Sequence, residues 1–275
     1  MEGHAQTATR RPTLATPNRY RIEAVDRALQ LLTILAEHPD STVTELTELT
    51  GNTKSLVFRL LKTLEERGFA VVGRRPGSYV LGYRLRTLGN AVAETDALLQ
   101  VACEPMEALV RQCGESAYLA HRDGQEVMCL AERESPQAVR LVIDSSKRAG
   151  LHVGGATRLL LAHAPAGVID QVLTTHQDDF TPKAMRDRKS ALKLLEKVRR
   201  EGYCEAKGEI GSDAFSLSAP IFRGDGSVNT ALCVVGPLLR YTDTAAARLR
   251  RSVVATAEEI SQKLGYTGLA RSSAR

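Results

Sequence analysis

The sequence has no long apolar run and no paired cysteine motif. Its five cysteines form no C-x-x-C pair, and such an odd, scattered set indicates a reducing compartment; they are Cys103, Cys113, Cys129, Cys204 and Cys233. No stretch approaches the roughly 18 uninterrupted apolar residues of a membrane-spanning helix. The polar opening, residues 1–18, lacks the apolar centre of a secretion signal. We therefore expect a cytoplasmic protein with no membrane contact.

The common catalytic motifs are also missing. The chain contains no G-x-S-x-G, no H-E-x-x-H and no phosphate-binding Walker loop, which argues against the best-known hydrolases, metalloproteases and nucleotide-binding enzymes. Its six histidines lack the spacing of zinc ligands, so we predict neither a metal nor a cofactor. One enzymatic alternative stays open, a small-molecule-processing domain that would have to bring Ser216 or Ser218 together with His152 and Asp213.

Length and charge set further bounds. With 275 residues the chain can form two ordinary domains, and a net charge of +5 with an isoelectric point near 9.0 favours anionic partners. Residues 1–86 carry 13 Lys and Arg against 9 Asp and Glu, so most of the positive excess lies in the first third of the chain. This excess is small, and it supports a nucleic-acid partner only together with a motif.

Residues 42–68 have the pattern of two short helices joined by a tight turn. The first helix is predicted over 44–50, and Gly51 ends it. Asn52 and Thr53 can cap the second helix, which continues to the stop signal at Gly68. Its predicted buried stripe consists of Val57, Leu60, Leu61 and Leu64. The opposite side presents Lys54, Ser55, Phe58, Arg59 and Lys62.

This arrangement is typical of a helix-turn-helix that docks in the major groove of DNA. Strand-like runs at 69–72 and 78–81 flank a basic turn, which predicts a wing whose Arg74 and Arg75 contact phosphates. We predict DNA contacts at Thr53, Lys54, Ser55, Phe58, Arg59, Lys62, Arg74 and Arg75. The alternative is an ordinary helical hairpin with solvated charges, or a winged domain that binds protein.

An earlier helix completes this first domain. Apolar residues recur there at helical spacing, and they predict a buried stripe of Ile22, Val25, Leu29, Leu32 and Ala36. The DNA-binding domain is then expected over residues 20–84. It would follow a disordered tail at 1–19.

A long helix is predicted over the linker, residues 85–113. Its apolar positions step by three and four residues, which is a heptad seam: Leu85, Leu88, Val92, Thr95, Leu99, Ala102, Met106 and Leu109. Pro105 is expected to kink or split this helix. The seam requires a partner, which is either a second copy of the chain, giving a homodimer or tetramer, or the chain's own second domain.

From about residue 114 the pattern changes to strands and helices. Apolar runs around Asp123-Gly124 predict a hairpin, a further strand is predicted over 138–143, and a closing helix over 242–264. The fold class is therefore α/β in the α+β sense, with a mostly antiparallel sheet and helices on its faces. This domain is expected over 114–265, followed by a flexible tail at 266–275.

The chain resembles the IclR family of bacterial transcriptional regulators from Tyr20 to Leu264. The residues that carry this likeness are those of 24–29, 51–69, 79–85, 151–152, 200–203, 218–222, 225–226 and 231–237. The resemblance implies an N-terminal winged helix-turn-helix, a linker helix that makes dimer contacts, and a C-terminal GAF-like domain that binds a small effector. It therefore implies a ligand-responsive regulator that binds double-stranded operator DNA.

The family likeness also implies where the effector binds. In relatives with a small-acid ligand, backbone amides beside a helix, a Cys on one strand and serines on the last strand surround the ligand. The corresponding residues here are Gly154, Gly155, Ala156, Ser216, Cys233 and Val235, and we add Tyr118 on a neighbouring strand. A glycine-rich turn would also need these glycines without any ligand. Because Ser216, Cys233 and Val235 all depart from the family pattern, we expect a different small organic effector, either less acidic or larger.

Overall fold

The chain forms two compact units, with the division between Gly89 and Asn90. A computed structural model describes residues 20–144, 148–176, 185, 187–209 and 211–268. Within these residues, no helix combines the length and apolar character needed to cross a lipid bilayer.

The first unit contains three helices and a small antiparallel sheet. Its elements are α1 (Glu23–Glu37), β1 (Ser41–Thr42), α2 (Val43–Thr50), α3 (Lys54–Glu66), β2 (Ala70–Val72) and β3 (Ser78–Leu81). The strand order is β1-β3-β2, so β3 pairs with both neighbours. The core of this unit consists of Leu31, Leu35, Leu46, Val57, Leu61, Leu64, Ala70 and Tyr79. Helix-turn-helix and wing therefore share one core.

The buried side of α1 differs from the predicted stripe. Leu31 and Leu35 are buried, whereas Ile22, Val25 and Leu29 are exposed. The prediction was wrong for Ile22, Val25 and Leu29, whereas Leu32 does pack against this core. Because α1 is rich in apolar residues on more than one side, only contacts with α2, α3 and β3 decide which side is covered.

The linker is two helices rather than one. They are α4 (Arg84–Thr95) and α5 (Ala97–Cys113), and the break lies at Asp96. The Asp96 carboxylate accepts a hydrogen bond of 2.8 Å from the Leu98 amide, so it caps the start of α5. Pro105, where a kink or split was expected, lies buried inside α5, which continues through it to Cys113.

The second unit is built on a six-stranded antiparallel sheet. Its strands are β4 (Ser116–Asp123), β5 (Glu126–Arg133), β6 (Ala149–Gly150), β7 (Cys204–Lys207), β8 (Ala214–Ile221) and β9 (Thr230–Pro237). Their order is β6-β5-β4-β9-β8-β7. The helices are α6 (Gly155–Ala162), α7 (Ala166–Thr175), α8 (Arg188–Glu201) and α9 (Asp243–Lys263). The α+β class and the antiparallel sheet are confirmed.

Helices cover both faces of this sheet. Successive residues of β9 point to opposite faces, so Cys233 and Val235 join a core with α6, α7 and α8. Leu232 and Val234 join a second core with α5 and α9. The linker seam thus has two environments, because the α5 part packs in its own domain whereas α4 has no buried residue.

The strand predicted over 138–143 does not form. Polar contacts hold this segment instead: the Ser116 hydroxyl donates to the Leu141 carbonyl at 2.9 Å, and Arg240 donates to the Val139 carbonyl at 3.0 Å. Side chains thus take backbone acceptors that a strand would give to a neighbour. Ile143 still contributes apolar surface to the sheet face next to α6.

Candidate DNA interface and effector cavity

Local interactions fix both ends of α2, the helix that leads into the turn before α3. At its start, Thr42 and Glu45 form a capping box, in which each side chain accepts a hydrogen bond from the other residue's amide. At its end, Gly51 adopts a left-handed conformation with φ of 66°. A residue with a Cβ is strained there, so glycine sets the direction in which the chain enters α3.

Helix α3 presents the predicted polar side to the outside. Val57, Leu61 and Leu64 are buried beneath it. The predicted contact residues on this helix are all exposed, including the ring of Phe58, and they are Thr53, Lys54, Ser55, Phe58, Arg59 and Lys62. Within the described residues, Lys54 and Arg59 have no acidic partner, whereas the Lys62 ammonium lies 2.8 Å from Glu65. The free cations are thus in the first two turns.

The first turn of α3 lacks a side-chain cap. Thr53 occupies the N-cap position, but its hydroxyl accepts no bond from the helix, contrary to our expectation. It lies 3.5 Å from the Ser55 hydroxyl instead. The first amides of α3 therefore remain available to an external acceptor at the positive end of the helix dipole.

The wing is held by Asp40, which the sequence did not single out. Asp40 has a φ of 64°, in the left-handed region. Its carboxylate accepts from the Ser78 hydroxyl at 2.5 Å and from the Arg74 amide at 2.9 Å, and these bonds, the first above all, lower its pKa. Because one carboxylate ties together the turn and the start of β3, the wing has a defined position on its domain.

The two wing arginines have different surroundings. The Arg75 guanidinium contacts both oxygens of Glu45, at 3.1 and 2.7 Å, and the Asp40 carbonyl at 3.0 Å. The hydrogen bond from Arg75 lowers the pKa of Glu45 to about 2. Arg74 is exposed and has no ionic partner among the described residues. Of the two predicted phosphate contacts, Arg75 is thus engaged within the domain and Arg74 is not.

A cavity of about 250 Å³ lies in the second unit beside the start of α6. Its wall is mostly apolar, and the residues that line it are Tyr118, Val127, Met128, Cys129, Val142, Ile143, Asp144, Arg148, Ala149, Val153, Gly154, Ala156 and Thr157. Arg148 is already paired with Asp123 at 2.8 Å and Glu126 at 3.3 Å. Burial raises the pKa of Tyr118, which keeps its hydroxyl neutral.

Three of the seven positions considered for the effector line this cavity, namely Tyr118, Gly154 and Ala156. Gly155, Ser216, Cys233 and Val235 do not line it. A Cβ on Gly155 would lie 2.9 Å from the Ser216 hydroxyl and 3.0 Å from the Ala206 Cβ, so Gly155 allows α6 to approach β7 and β8. Ser216 is only 2% exposed, and its hydroxyl has no hydrogen-bond partner within the described part of the chain. Cys233 is buried opposite Tyr118 on the adjacent strand.

Cys129 was the main omission on the cavity wall. It lies on β5, half-buried, and burial raises the pKa of its thiol to about 11. A thiol of this kind stays protonated and unreactive. The hairpin around Asp123-Gly124 could have indicated this position, because alternate residues of β5 must share the face of Tyr118.

The two serines of the enzymatic alternative make no hydrogen bond to a histidine among the residues that the structure describes. The Ser218 hydroxyl donates to the Cys204 carbonyl at 3.2 Å, and the Ser216 hydroxyl has no partner there. The His152 ring stacks on His176 with centroids 4.2 Å apart. Among the described residues, no three His, Cys, Asp or Glu side chains are grouped as a metal site.

Comparison with known proteins agrees with both parts of this architecture. The IclR helix-turn-helix domain matches residues 24–72, and the bacterial transcriptional regulator IclR C-terminal domain matches residues 90–262. The HTH-type transcriptional regulator KipR of Bacillus subtilis is 29% identical over 246 residues, which are 89% of this chain and 98% of KipR.

Solved structures show the same fold. An IclR transcriptional regulator from Alicyclobacillus acidocaldarius has a TM-score of 0.82 at 24% identity and covers 90% of this chain and 100% of its own. An IclR homologue from Microbacterium hydrocarbonoxydans, complexed with 4-hydroxybenzoate, has a TM-score of 0.74 at 26% identity, with coverages of 88% and 97%. The chain is therefore a member of the IclR family of bacterial transcriptional regulators.

Proposed function

We propose that α3 docks in the major groove of double-stranded operator DNA, with Lys54, Ser55, Phe58 and Arg59 as its main contacts. The observation that carries this proposal is the exposed side of α3, where Lys54 and Arg59, which have no acidic partner among the described residues, lie near a helix start without a side-chain cap. A phosphate at that start would accept from the free amides and take the place of the missing Thr53 cap. Arg59 is then the candidate for bidentate contact with a guanine.

Selection of duplexes from a random pool by the full-length protein tests this proposal. Arg59→Ala should bind the selected duplex more weakly by about 1–3 kcal/mol and lose preference at one position per half-site. Arg67→Ala is the matched control, because Arg67 is an exposed arginine at the other end of α3. Equal affinity and equal sequence preference for Arg59→Ala and the wild type would refute the role of α3.

We further propose that the cavity beside α6 binds a small organic effector. An apolar wall with a few polar residues, here Tyr118, whose hydroxyl also bonds to Cys233, and residues at the start of α6, suits a ligand with an apolar body and one hydrogen-bonding group. The 4-hydroxybenzoate complex of the Microbacterium homologue supports a ligand of this size. Arg148 is neutralised by Asp123 and Glu126, which favours a ligand of low charge.

Calorimetric titration with a panel of small organic acids and their amides, starting with 4-hydroxybenzoate, tests the cavity. Cys129→Phe would fill the cavity from β5 and should abolish binding of the best compound. Leu130→Phe is the control, since Leu130 packs on the opposite face of the sheet. Undiminished binding by Cys129→Phe would put the ligand elsewhere.

We also propose a homodimer at least, held partly by α4. Leu88 is 45% exposed and Val92 63% exposed, one helical turn apart, and no residue of α4 is buried. A second copy of the same helix would cover this seam. We propose in addition that residues 20–84 form the DNA-binding domain and residues 114–265 the effector-binding domain, and that α4 and α5 form the linker between them.

A further inference from the structure

Phe58 is the one aromatic residue on the exposed side of α3. Phe58 is 47% exposed, whereas Val57, Leu61 and Leu64 of the same helix are buried. A single exposed apolar residue is common on protein surfaces, so its position is the informative feature. Phe58 lies one helical turn after Lys54 and one before Lys62, and the Lys62 ammonium is 5.9 Å from the ring centroid.

The charges along α3 restrict where the helix can approach DNA. Glu65 and Glu66 follow at its C-terminal end, and Glu65 holds the Lys62 ammonium at 2.8 Å. Carboxylates repel phosphates, so the part of α3 that reads bases is its first two turns. Phe58 lies about 6 Å along the helix axis from Lys54, in the middle of that region.

A phenyl ring has limited options in the major groove. It can neither donate to nor accept from the polar base edges, and it gains nothing from a phosphate. The apolar group that the major groove offers is the C5 methyl of thymine. The neighbouring cations can bind phosphate or guanine, which leaves the ring to contact the base edge between them.

We propose that Phe58 is a specificity-determining residue that contacts a thymine methyl, so each half-site of the operator contains a T·A pair at that position. This inference rests on the proposed docking of α3 in the major groove. It adds the identity of one base and the chemical group by which the base is selected.

The experiment removes the methyl group from the DNA and the ring from the protein. In the duplex selected by the full-length protein, each thymine is replaced in turn by uracil, which pairs identically but lacks the methyl. One position per half-site should lose affinity by about fourfold, as expected for burial of one methyl-sized group. With Phe58→Ser the selected duplex and its uracil version should bind equally.

Two further variants make the result decisive. Phe58→Leu keeps an apolar side chain and should keep part of the uracil effect. Lys54→Ala should weaken both duplexes equally and keep the full effect. Wild-type binding that is indifferent to uracil at every position would overturn the inference, as would a uracil effect that survives in Phe58→Ser. If the wild type shows no uracil effect and Phe58→Ser weakens binding to both duplexes equally, the inference is overturned. The ring then has another role, such as a wedge between base steps.

The same data separate this inference from the function on which it rests. If Lys54→Ala and Arg59→Ala leave DNA affinity unchanged, α3 does not dock and the proposed function fails. If both lose affinity while no thymine methyl matters, α3 docks and only the role of Phe58 is wrong.

Discussion

At the scale of single residues, the wing separates two adjacent arginines by their partners. Arg75 binds Glu45 and the Asp40 carbonyl, whereas Arg74 is exposed without an ionic partner among the described residues. We predict that Arg74→Ala reduces the salt dependence of DNA binding by about one unit of slope and leaves thermal stability unchanged. Salt titrations of affinity on several duplexes measure this slope.

Arg75→Ala should instead lower stability and leave the salt dependence nearly unchanged. It removes the hydrogen bonds between the wing and Glu45, so the melting temperature of the first unit should fall slightly, by the small effect that a half-exposed ion pair gives, and DNA affinity should fall with it. Arg75→Lys is the matched control for charge. Lysine keeps the positive charge but cannot form the same forked contact with Glu45, so this variant should also be less stable than the wild type. A stable Arg75→Ala protein with a reduced salt slope would return Arg75 to the role of a phosphate contact.

We expect Glu45 to make the stability of the first unit depend on pH in the acid range. Its pKa is lowered from 4.5 to about 2 by Arg75 and by the Thr42 amide, so the folded state favours the charged carboxylate. This contribution to stability is complete above about pH 4.5 and is lost as the pH falls toward 2. We predict that Glu45→Gln flattens the pH dependence of unfolding in that window. Parallel pH profiles for Glu45→Gln and the wild type would contradict it.

These residue roles show where prediction from sequence stops. The exposed face of α3 followed from helical spacing alone, because the buried stripe fixes the opposite side. The partner of Arg75 did not follow, because Glu45 lies 30 residues earlier and only the folded domain brings it near. The same holds for Ser216, whose place behind Gly155 depends on the packing of α6 against β8.

At the scale of elements, α4 provides the clearest test of assembly. Charged substitutions at Leu88 and Val92 should weaken both self-association and DNA binding, since each would bury an unpaired charge at the helix pair. Thr87→Lys is the control, an exposed position on the same helix away from the seam. Sedimentation of a monomeric wild type at micromolar concentration would refute the dimer.

The break at Asp96 is a second element to test. Asp96→Ala removes the cap of α5 and should cost about 0.5–2 kcal/mol of stability in the second unit. Asp187→Ala removes the equivalent cap of α8, where the carboxylate accepts from the Ser190 amide at 2.9 Å, and gives the expected size of a cap effect. An Asp96→Ala protein as stable as the wild type would mean that other contacts fix the break.

Element prediction succeeded where one property decided the outcome. Strand β3 and the β4–β5 hairpin followed from alternation and from a glycine turn. It failed where two properties competed. Pro105 was given more weight than Asp96 because a proline is conspicuous in a sequence, whereas the role of Asp96 as a cap is visible only in its hydrogen bond from the Leu98 amide.

At the scale of the whole molecule, the two activities are linked by reciprocity. If the effector changes DNA affinity by about 5- to 150-fold, DNA must change effector affinity by the same factor. We predict this equality for the best compound of the panel, measured by calorimetry with and without a saturating selected duplex. The prediction fails if the effector changes DNA affinity but DNA does not change the measured effector affinity. The effect on DNA binding would then come from a second effector site.

The exposure of α4 makes the stability of this helix depend on protein concentration. It has 12 residues and none is buried, and helices of about that length are marginal in water on their own. Its hydrogen bonds would then persist only while a second chain covers Leu88 and Val92. Amide hydrogen exchange in α4 should therefore slow as protein concentration rises, whereas exchange in α3 and α5, which have their own cores, should not depend on concentration.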